Sequence, residues 1–205
     1  MSLKAINQKA ADALLDFIKE NPVLFLGSGL SIPPYYTWPE LLHKISELCA
    51  FSTNINPPLL DVAQKLHDND PEKFYKSLRD IFLAPPNLLS PALKEIVGIK
   101  FKAIITTNYD RSLEFALKMA NRTDVSSHKL PGLQYSLWEN GDVAYIHGVI
   151  SETTSTKNPL VLHHQSYQDA YVVNRDLKVF LFDVFVKNNV LFCGYSLSHE
   201  ESLNY

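Results

Sequence analysis

Cysteine is scarce in this 205-residue chain, which contains only Cys49 and Cys193. The two lie far apart and form no Cys-x-x-Cys pair, so the sequence argues against both a disulfide framework and a thiolate zinc site. The histidines show no metal-ligand spacing either. We therefore expect a cytoplasmic protein that uses no metal.

An excess of charge of one sign is also lacking. The formal net charge is −3 and no long block of like charge occurs, which argues against a nucleic-acid footprint and a basic membrane patch. The N-terminal stretch has acids and amides where a signal peptide would have an apolar run, and no apolar stretch is long enough to span a membrane. We expect no direct binding to nucleic acid and no membrane association.

What the chain does contain is an alternation of short apolar runs with amphipathic segments. The apolar runs predict strands at 22–27, 101–108, 142–148, 158–164 and 189–194. Helical spacing of apolar residues predicts helices at 5–20, 38–51, 110–120 and 166–188. Nearly uniformly apolar strands that alternate with helices predict an α/β fold with a mainly parallel sheet and helices on both faces.

Residues 52–100 differ from this pattern. Six prolines separate short helical pieces there, which predicts a small helical insert. The remaining segments, 1–51 and 101–205, would then form one domain. Because a parallel sheet of this kind normally continues into more helix than "GYSLSHEESLNY" supplies, we also expect a fragment that is truncated at its C-terminus.

Polar clusters follow four of the predicted strands. They are Gly27-Ser28-Gly29, Thr107-Asn108-Tyr109-Asp110, His147-Gly148 and Gly194-Tyr195-Ser196. Ligands of open parallel sheets bind outside the carboxyl ends of the strands. All four clusters therefore fall on one predicted rim, which is where we expect a ligand.

The turn "GSGLS" at 27–31 is the first of these clusters. Its glycines let a ligand approach the backbone, their N–H groups can point at phosphate oxygens, and Ser28 and Ser31 add hydroxyl donors. The turn is not the dehydrogenase fingerprint, because the third glycine is missing and Pro33-Pro34 follow; nor is it a P-loop, which needs Gly-Lys-Ser/Thr. A tight turn without a ligand remains an alternative for this motif taken alone.

The other clusters contain candidate catalytic groups. Asp110 is explained as the cap of the helix that follows, but Asn108 is not, and its amide can hold a water or a ribose hydroxyl. His147 is a candidate base because the ordinary pKa of histidine lies near neutrality. A hydrolase nucleophile turn at Ser196 is disfavoured, since the triad acid and base should follow the serine and His199 is too close to fold back.

Five stretches of the sequence resemble the sirtuin-like domains of bacterial anti-phage defence proteins. They are "GSGLS", "ITTNYD", "YIHG", "PLVLHHQSY" and "LFCGYSLS", and they span about residues 20–200. Sirtuins proper carry Gly-Ala-Gly-x-Ser, Thr-Gln-Asn-x-Asp, a His-Gly and a final Gly-Thr-Ser in the same order. Each motif is short, but five in order at compatible spacing are fairly specific.

The resemblance implies a Rossmann-like fold that binds NAD as its substrate. The implied catalytic pair at the nicotinamide ribose is Asn108 and His147. The other implied NAD-binding residues are Gly27, Ser28, Gly29 and Ser31 at the diphosphate and nearby ribose, Thr107, Asp110 near the nicotinamide amide, and Gly194, Tyr195 and Ser196 near the adenosine half.

The sequence departs from sirtuin deacylases in ways that bear on the reaction. The set of four zinc-binding cysteines is missing, and "SIPPYYTW" replaces Ala-Gly-Ile-Pro-x-Phe-Arg without an arginine. Peptide deacylation is therefore in doubt, and we expect hydrolysis of NAD to nicotinamide and ADP-ribose. Nicotinamide leaves as a neutral pyridine, so the paired carboxylic acids of ordinary glycosidases are not required.

Two other classes of function stay open at this point. One is a module that senses NAD or ADP-ribose without cleaving it, and the other is an NAD-dependent deacylase or ADP-ribosyltransferase. The resemblance also implies a role as the effector domain of an anti-phage protein, with an additional domain or partner that senses phage. It further implies a homo-oligomer.

Overall fold

The computed structural model describes residues 3–33, 35–55, 58–84, 86, 88–129 and 141–195. The α-helices are α1 (Leu3–Lys19), α2 (Trp38–Cys49), α3 (Leu59–Asn69), α4 (Pro71–Phe82), α5 (Pro91–Ile96), α6 (Ser112–Met119), α7 (His164–Gln168) and α8 (Arg175–Lys187). The strands are β1 (Val23–Leu26), β2 (Ile104–Thr106), β3 (Ser127–Lys129), β4 (Val143–Tyr145) and β5 (Val190–Cys193).

The five strands form one sheet in the order β3-β4-β2-β1-β5, and every neighbouring pair is parallel. The central strand β1 pairs with β2 on one side and with β5 on the other, so that Leu24 lies beside both Ile104 and Leu191. The predicted α/β class with a parallel sheet is confirmed. Because all strands run the same way, their carboxyl ends meet at one edge.

The sheet is covered on both faces, as predicted. All four residues of β1 are buried. Leu24 and Leu26 face a core shared with α5 and α6, whereas Val23 and Phe25 face a core shared with α7 and α8. Burial on both faces explains why the β1 sequence is a continuous apolar run and does not alternate with polar residues.

A third core lies between α2, α3 and α4 and includes Ile150, Leu160 and Leu162 from the chain after β4. α2 begins at a capping box in which the Thr37 N–H donates to the Glu40 carboxylate at 2.8 Å, with Pro39 in the first turn. Helices α3, α4 and α5 occupy the proline-rich segment 52–100. The division of the chain into domains at residues 51 and 101 stays a prediction.

Two predicted elements differ from the structure. The strand expected at 158–164 is wrong: these residues form an irregular loop that leads into α7, since the backbone N–H of Val161 donates to His147 O and not to a strand. The long helix expected at 166–188 is interrupted by a π-helical segment, Asp169–Val173, and ends at Asn174 before α8 begins. The side chain of Asn174 caps α8 by accepting from the Asp176 N–H.

Within the described part of the chain, no helix combines the length and the apolar character needed to cross a bilayer.

Candidate active site

The carboxyl ends of the strands open into a cavity of about 160 Å³. Seven of the residues predicted for the NAD site line this cavity, namely Ser28, Ser31, Thr107, Asn108, Asp110, His147 and Tyr195. Gly27 and Gly194 lie directly behind its edge, where β1 and β5 end. Ser196 lies outside the described residues. The structure therefore brings together clusters that are up to 168 positions apart in the sequence, as Gly27 and Tyr195 are.

The glycines form a close joint between the ends of β1 and β5. A Cβ added to Gly27 would lie 2.5 Å from the carbonyl oxygen of Gly194, and a Cβ added to Gly29 would lie 2.8 Å from the same atom. Gly194 itself has a φ of +65°, which side chains rarely adopt. The N–H groups of Gly27 and Gly29 donate to Cys193 O at 2.9 Å and to Gly194 O at 2.8 Å. These two N–H groups are therefore already bonded within the joint, and NAD binding at Gly27 and Gly29 stays a prediction.

Asn108 is held in place at the end of β2. Its backbone N–H donates to the Thr106 hydroxyl at 3.1 Å, and this hydroxyl donates to Leu26 O at 2.9 Å. The side-chain Nδ2 donates to Ser31 Oγ at 3.0 Å and to Gly27 O at 3.4 Å. The amide oxygen Oδ1 is buried and has no hydrogen-bond partner among the described residues. An unpaired buried acceptor is costly unless a ligand or water completes it.

Asp110 lies one residue before Arg111, the N-cap of α6, and it also borders the cavity. Its Oδ1 accepts from the Ser112 N–H at 2.8 Å, at the start of α6. Burial raises the pKa of the Asp110 carboxyl, against the opposing effect of hydrogen bonds from Ser112 and Ser31. Ser31 thus connects the Asn108 amide with the Asp110 carboxyl at the mouth of the glycine turn.

His147 follows β4 and is almost completely buried. Its Nε2 lies 2.6 Å from the hydroxyl of Tyr171, and its Nδ1 lies 3.5 Å from the hydroxyl of Tyr167. Burial lowers the pKa of His147 from 6.5 to about 3. The expected near-neutral pKa is therefore wrong, and the imidazole is neutral at pH 7, with one nitrogen protonated and the other an acceptor.

The cavity has an apolar and aromatic wall that the sequence reading missed. Its members are Tyr35, Tyr36, Trp38, Leu41, Leu59, Leu60, Phe82, Tyr109 and Tyr167. Leu59, Leu60 and Phe82 come from the segment 52–100, so this segment shapes the site. None of the described residues that line the cavity is Lys or Arg. Aromatic faces beside a carboxyl group suit a flat, cationic ligand.

No group of three or more His, Cys, Asp or Glu side chains in the described ranges is arranged to hold a metal ion. Cys49 and Cys193 are both free thiols. Neither Cys49 nor Cys193 lines the cavity.

Comparison with known proteins shows that part of this chain matches a protein family. The model of the SIR2-like domain matches residues 102–205, about half of the chain, and this range includes Asn108 and His147. The glycine turn after β1 lies outside the matched range, but in the structure it packs directly against Gly194.

A curated relative agrees with the family match. NAD(+) hydrolase ThsA of Bacillus cereus (strain MSX-D12) is 25% identical over 201 residues, and the alignment covers 95% of this chain. This chain spans only 40% of the length of that relative. Through the family match, and with the parallel α/β fold that accompanies it, this chain belongs to the SIR2-like domain family.

Proposed function

We propose that this domain cleaves NAD at the bond between nicotinamide and ribose and releases ADP-ribose. The observation that carries the proposal is the unpaired Oδ1 of the buried Asn108 amide beside the cavity. A water or ribose hydroxyl bound there would satisfy this acceptor. The ThsA relative is an NAD(+) hydrolase, which supports the same reaction.

The size and lining of the cavity support nicotinamide as the group that enters it. A cavity of roughly 150 Å³ holds a molecule the size of benzene, and this one measures about 160 Å³. The nicotinamide ring of NAD carries a positive charge, which the faces of Tyr109, Trp38 and the other aromatic residues would stabilise. The rest of the dinucleotide would extend outside the cavity, past Ser28 and Tyr195.

The proposed reaction needs one water and one proton acceptor. The bond between the ribose C1′ and the nicotinamide nitrogen breaks, and its electron pair stays with the neutral pyridine. The water oxygen bonds to C1′, and one water proton passes to the imidazole of His147. Asn108 orients this water through Oδ1, and the aromatic wall excludes bulk water from the ribose.

The folded pKa of His147 does not prevent this role. A neutral imidazole is the form that accepts a proton, and this weak base can take one because the water becomes a strongly acidic oxonium group as it bonds to C1′. Because of this low pKa, the protonated imidazole passes the proton on to solvent water and returns to the neutral form before the next substrate binds.

Nicotinamide release from NAD, measured by chromatography on the full-length protein, tests the proposal. We expect Asn108→Ala and His147→Asn each to lower the rate by roughly 10²- to 10⁴-fold, the range that acid-base groups contribute. His163→Asn is the matched control, because His163 is also buried but lies outside the cavity lining; it should keep the wild-type rate. Circular dichroism checks that each variant is folded.

Two results would contradict the proposal. Calorimetric binding of NAD without nicotinamide release, also in the presence of an infected-cell extract, would make the domain a sensor. Nicotinamide release that requires an acyl-peptide or an acceptor protein would make it a deacylase or an ADP-ribosyltransferase.

We also propose that the domain acts as the effector of an anti-phage protein. The support is the resemblance of its motifs to such domains and the greater length of the ThsA relative, which leaves room for a further domain that senses phage. Loss of NAD in infected cells that carry the wild-type gene, but not in cells that carry Asn108→Ala, is the expected outcome.

A further inference from the structure

Two tyrosines from one turn of helix hold the two nitrogens of His147. The hydroxyl of Tyr171 lies 2.6 Å from Nε2, and that of Tyr167 lies 3.5 Å from Nδ1. The rings of Tyr167 and Tyr171 stack on each other, with centroids 5.7 Å apart and an interplanar angle of 12°. Both rings meet the imidazole edge-on. The side chain of His147 therefore has one fixed orientation.

The local backbone produces this arrangement. Tyr167 lies in α7, and Tyr171 lies in the π-helical segment Asp169–Val173 that follows. Residues four positions apart share one face of a helix, so both rings point at His147. A π-helical segment inside a helix is uncommon and is found often at functional sites. Tyr171 is not among the residues that line the cavity.

The two nitrogens of His147 face different surroundings. The neighbour of Nδ1, Tyr167, lines the cavity together with His147, which favours Nδ1 as the nitrogen that faces the cavity. The neighbour of Nε2, Tyr171, belongs to the same core cluster as Tyr167 but is not among the residues that line the cavity. To accept a proton from the cavity, the imidazole must present a lone pair at Nδ1 and carry its proton at Nε2.

We propose that Tyr171 is a positioning residue for the cleavage of NAD: its hydroxyl oxygen accepts the Nε2–H of His147 and so fixes the tautomer in which Nδ1 is the acceptor toward the cavity. The role of Tyr171 in catalysis rests on the proposed function. The protonation site of the His147 imidazole does not depend on it. Removing the Tyr171 hydroxyl would leave Nε2–H without its acceptor and favour the opposite tautomer, which cannot take a proton at Nδ1.

Tyr171→Phe is the test, because it keeps the buried ring and removes only the hydroxyl. We expect kcat for nicotinamide release to fall about tenfold or more, within the range of acid-base effects, while KM stays within about twofold. Tyr75→Phe is the matched control. Tyr75 is also a buried tyrosine, at 1% exposure, but it lies in α4 outside the cavity lining, and its loss of a hydroxyl should leave both constants unchanged.

Nitrogen-15 NMR of the histidine-labelled chain at pH 7 provides a readout that a purely structural role would not change. The resonances of His147 are identified by their absence in His147→Asn. In the wild type we expect a protonated Nε2 and an unprotonated Nδ1, and in Tyr171→Phe a mixed or reversed pattern. A wild type with an unprotonated Nε2, or identical His147 shifts in Tyr171→Phe, would overturn the inference.

The two proposals fail in different ways. If the wild type releases no nicotinamide, the proposed function is wrong, and the NMR spectra still decide whether Tyr171 fixes the tautomer. If the wild type cleaves NAD and Tyr171→Phe does so with unchanged kcat, the positioning role is wrong and the proposed function stands.

Discussion

Mild acid is expected to destabilise this chain through two buried histidines. His147 and His163 are 3% and 5% exposed. Burial lowers the pKa of His147 to about 3 and that of His163 to about 4, from an ordinary value of 6.5. His67, which stacks on His163 with ring centroids 4.2 Å apart, adds to the second shift.

Whether acid raises or lowers the free energy of unfolding depends on which state, folded or unfolded, binds more protons. Between pH 6.5 and the two folded pKa values, both histidines are protonated in the unfolded chain and neutral in the folded chain. The unfolded state therefore binds more protons, and the free energy of unfolding falls as the pH falls. Asp110 opposes this effect, because burial raises the pKa of its carboxyl and the folded chain takes up that proton first.

The magnitude is large on the scale of a domain. From pH 7 to pH 5 each histidine lowers the free energy of unfolding by about 2 kcal/mol, and the two together by about 4 kcal/mol. A typical domain is stable by about 5–15 kcal/mol. The range ends at pH 5 because ordinary carboxyl groups titrate below it and would obscure the histidines.

Urea unfolding followed by circular dichroism at pH 7, 6 and 5 measures this loss. His163→Asn removes one of the two titrating groups, so we expect the loss between pH 7 and pH 5 to be smaller by about 2 kcal/mol, or about half. The asparagine amide can still donate to Gln64 Oε1, which lies 2.9 Å from His163 Nδ1 in the wild type. His43→Gln is the control, since the side chain of His43 is 69% exposed, and it should show the full loss. Equal free energies of unfolding at pH 7 and pH 5 in the wild type would refute the reasoning.

Two substitutions test other features of the structure. Gly194→Ala would place its Cβ 2.8 Å from Leu30 Cγ at a φ of +65°, so we expect thermal unfolding to show a free energy of unfolding lower by roughly 1–3 kcal/mol, together with loss of NAD cleavage. Gly98→Ala is the control, because its Cβ would meet only Glu95 O at 3.2 Å, and it should lower the free energy of unfolding by less. An equal loss in the two variants would contradict the close joint. Tyr145→Phe removes a buried hydroxyl that has no partner among the described residues, so the melting temperature should stay equal or rise, and a clear fall would reveal a bonded hydroxyl.

The part of the site that could be predicted from the sequence is the part that depends on strand direction. β1 was recognisable as a continuous apolar run that ends at Gly27, and Asn108 and His147 follow similar runs. The carboxyl ends of parallel strands lie at the same edge of the sheet, so the fold class alone predicts that these residues lie close together. The hydrogen bond of Asp110 to the first turn of α6 was also predictable, because an Asp before a helix is a local signal, although the N-cap itself is Arg111.

The features that could not be predicted depend on contacts between distant parts of the chain, which no local sequence pattern indicates. β3 is a short edge strand, Ser127–Lys129, without apolar alternation, and backbone pairing with β4 holds it in place. The pKa of His147 depends on how deeply the finished fold buries it. The sequence Tyr-x-x-x-Tyr at 167–171 was the available signal for the two hydroxyls at His147, but it is equally typical of an ordinary helix face.

The order of the strands also bears on when the site forms during synthesis. β1 lies near the start of the described chain, and its partner β5 lies near the end. Until the ribosome has released β5, Gly194 cannot close on Gly27, and the Tyr195 side of the cavity does not exist. Pairing between segments so distant in sequence is slow and comes late in folding. On the proposed function, a nascent chain cannot cleave NAD before β5 has left the ribosome and paired with β1.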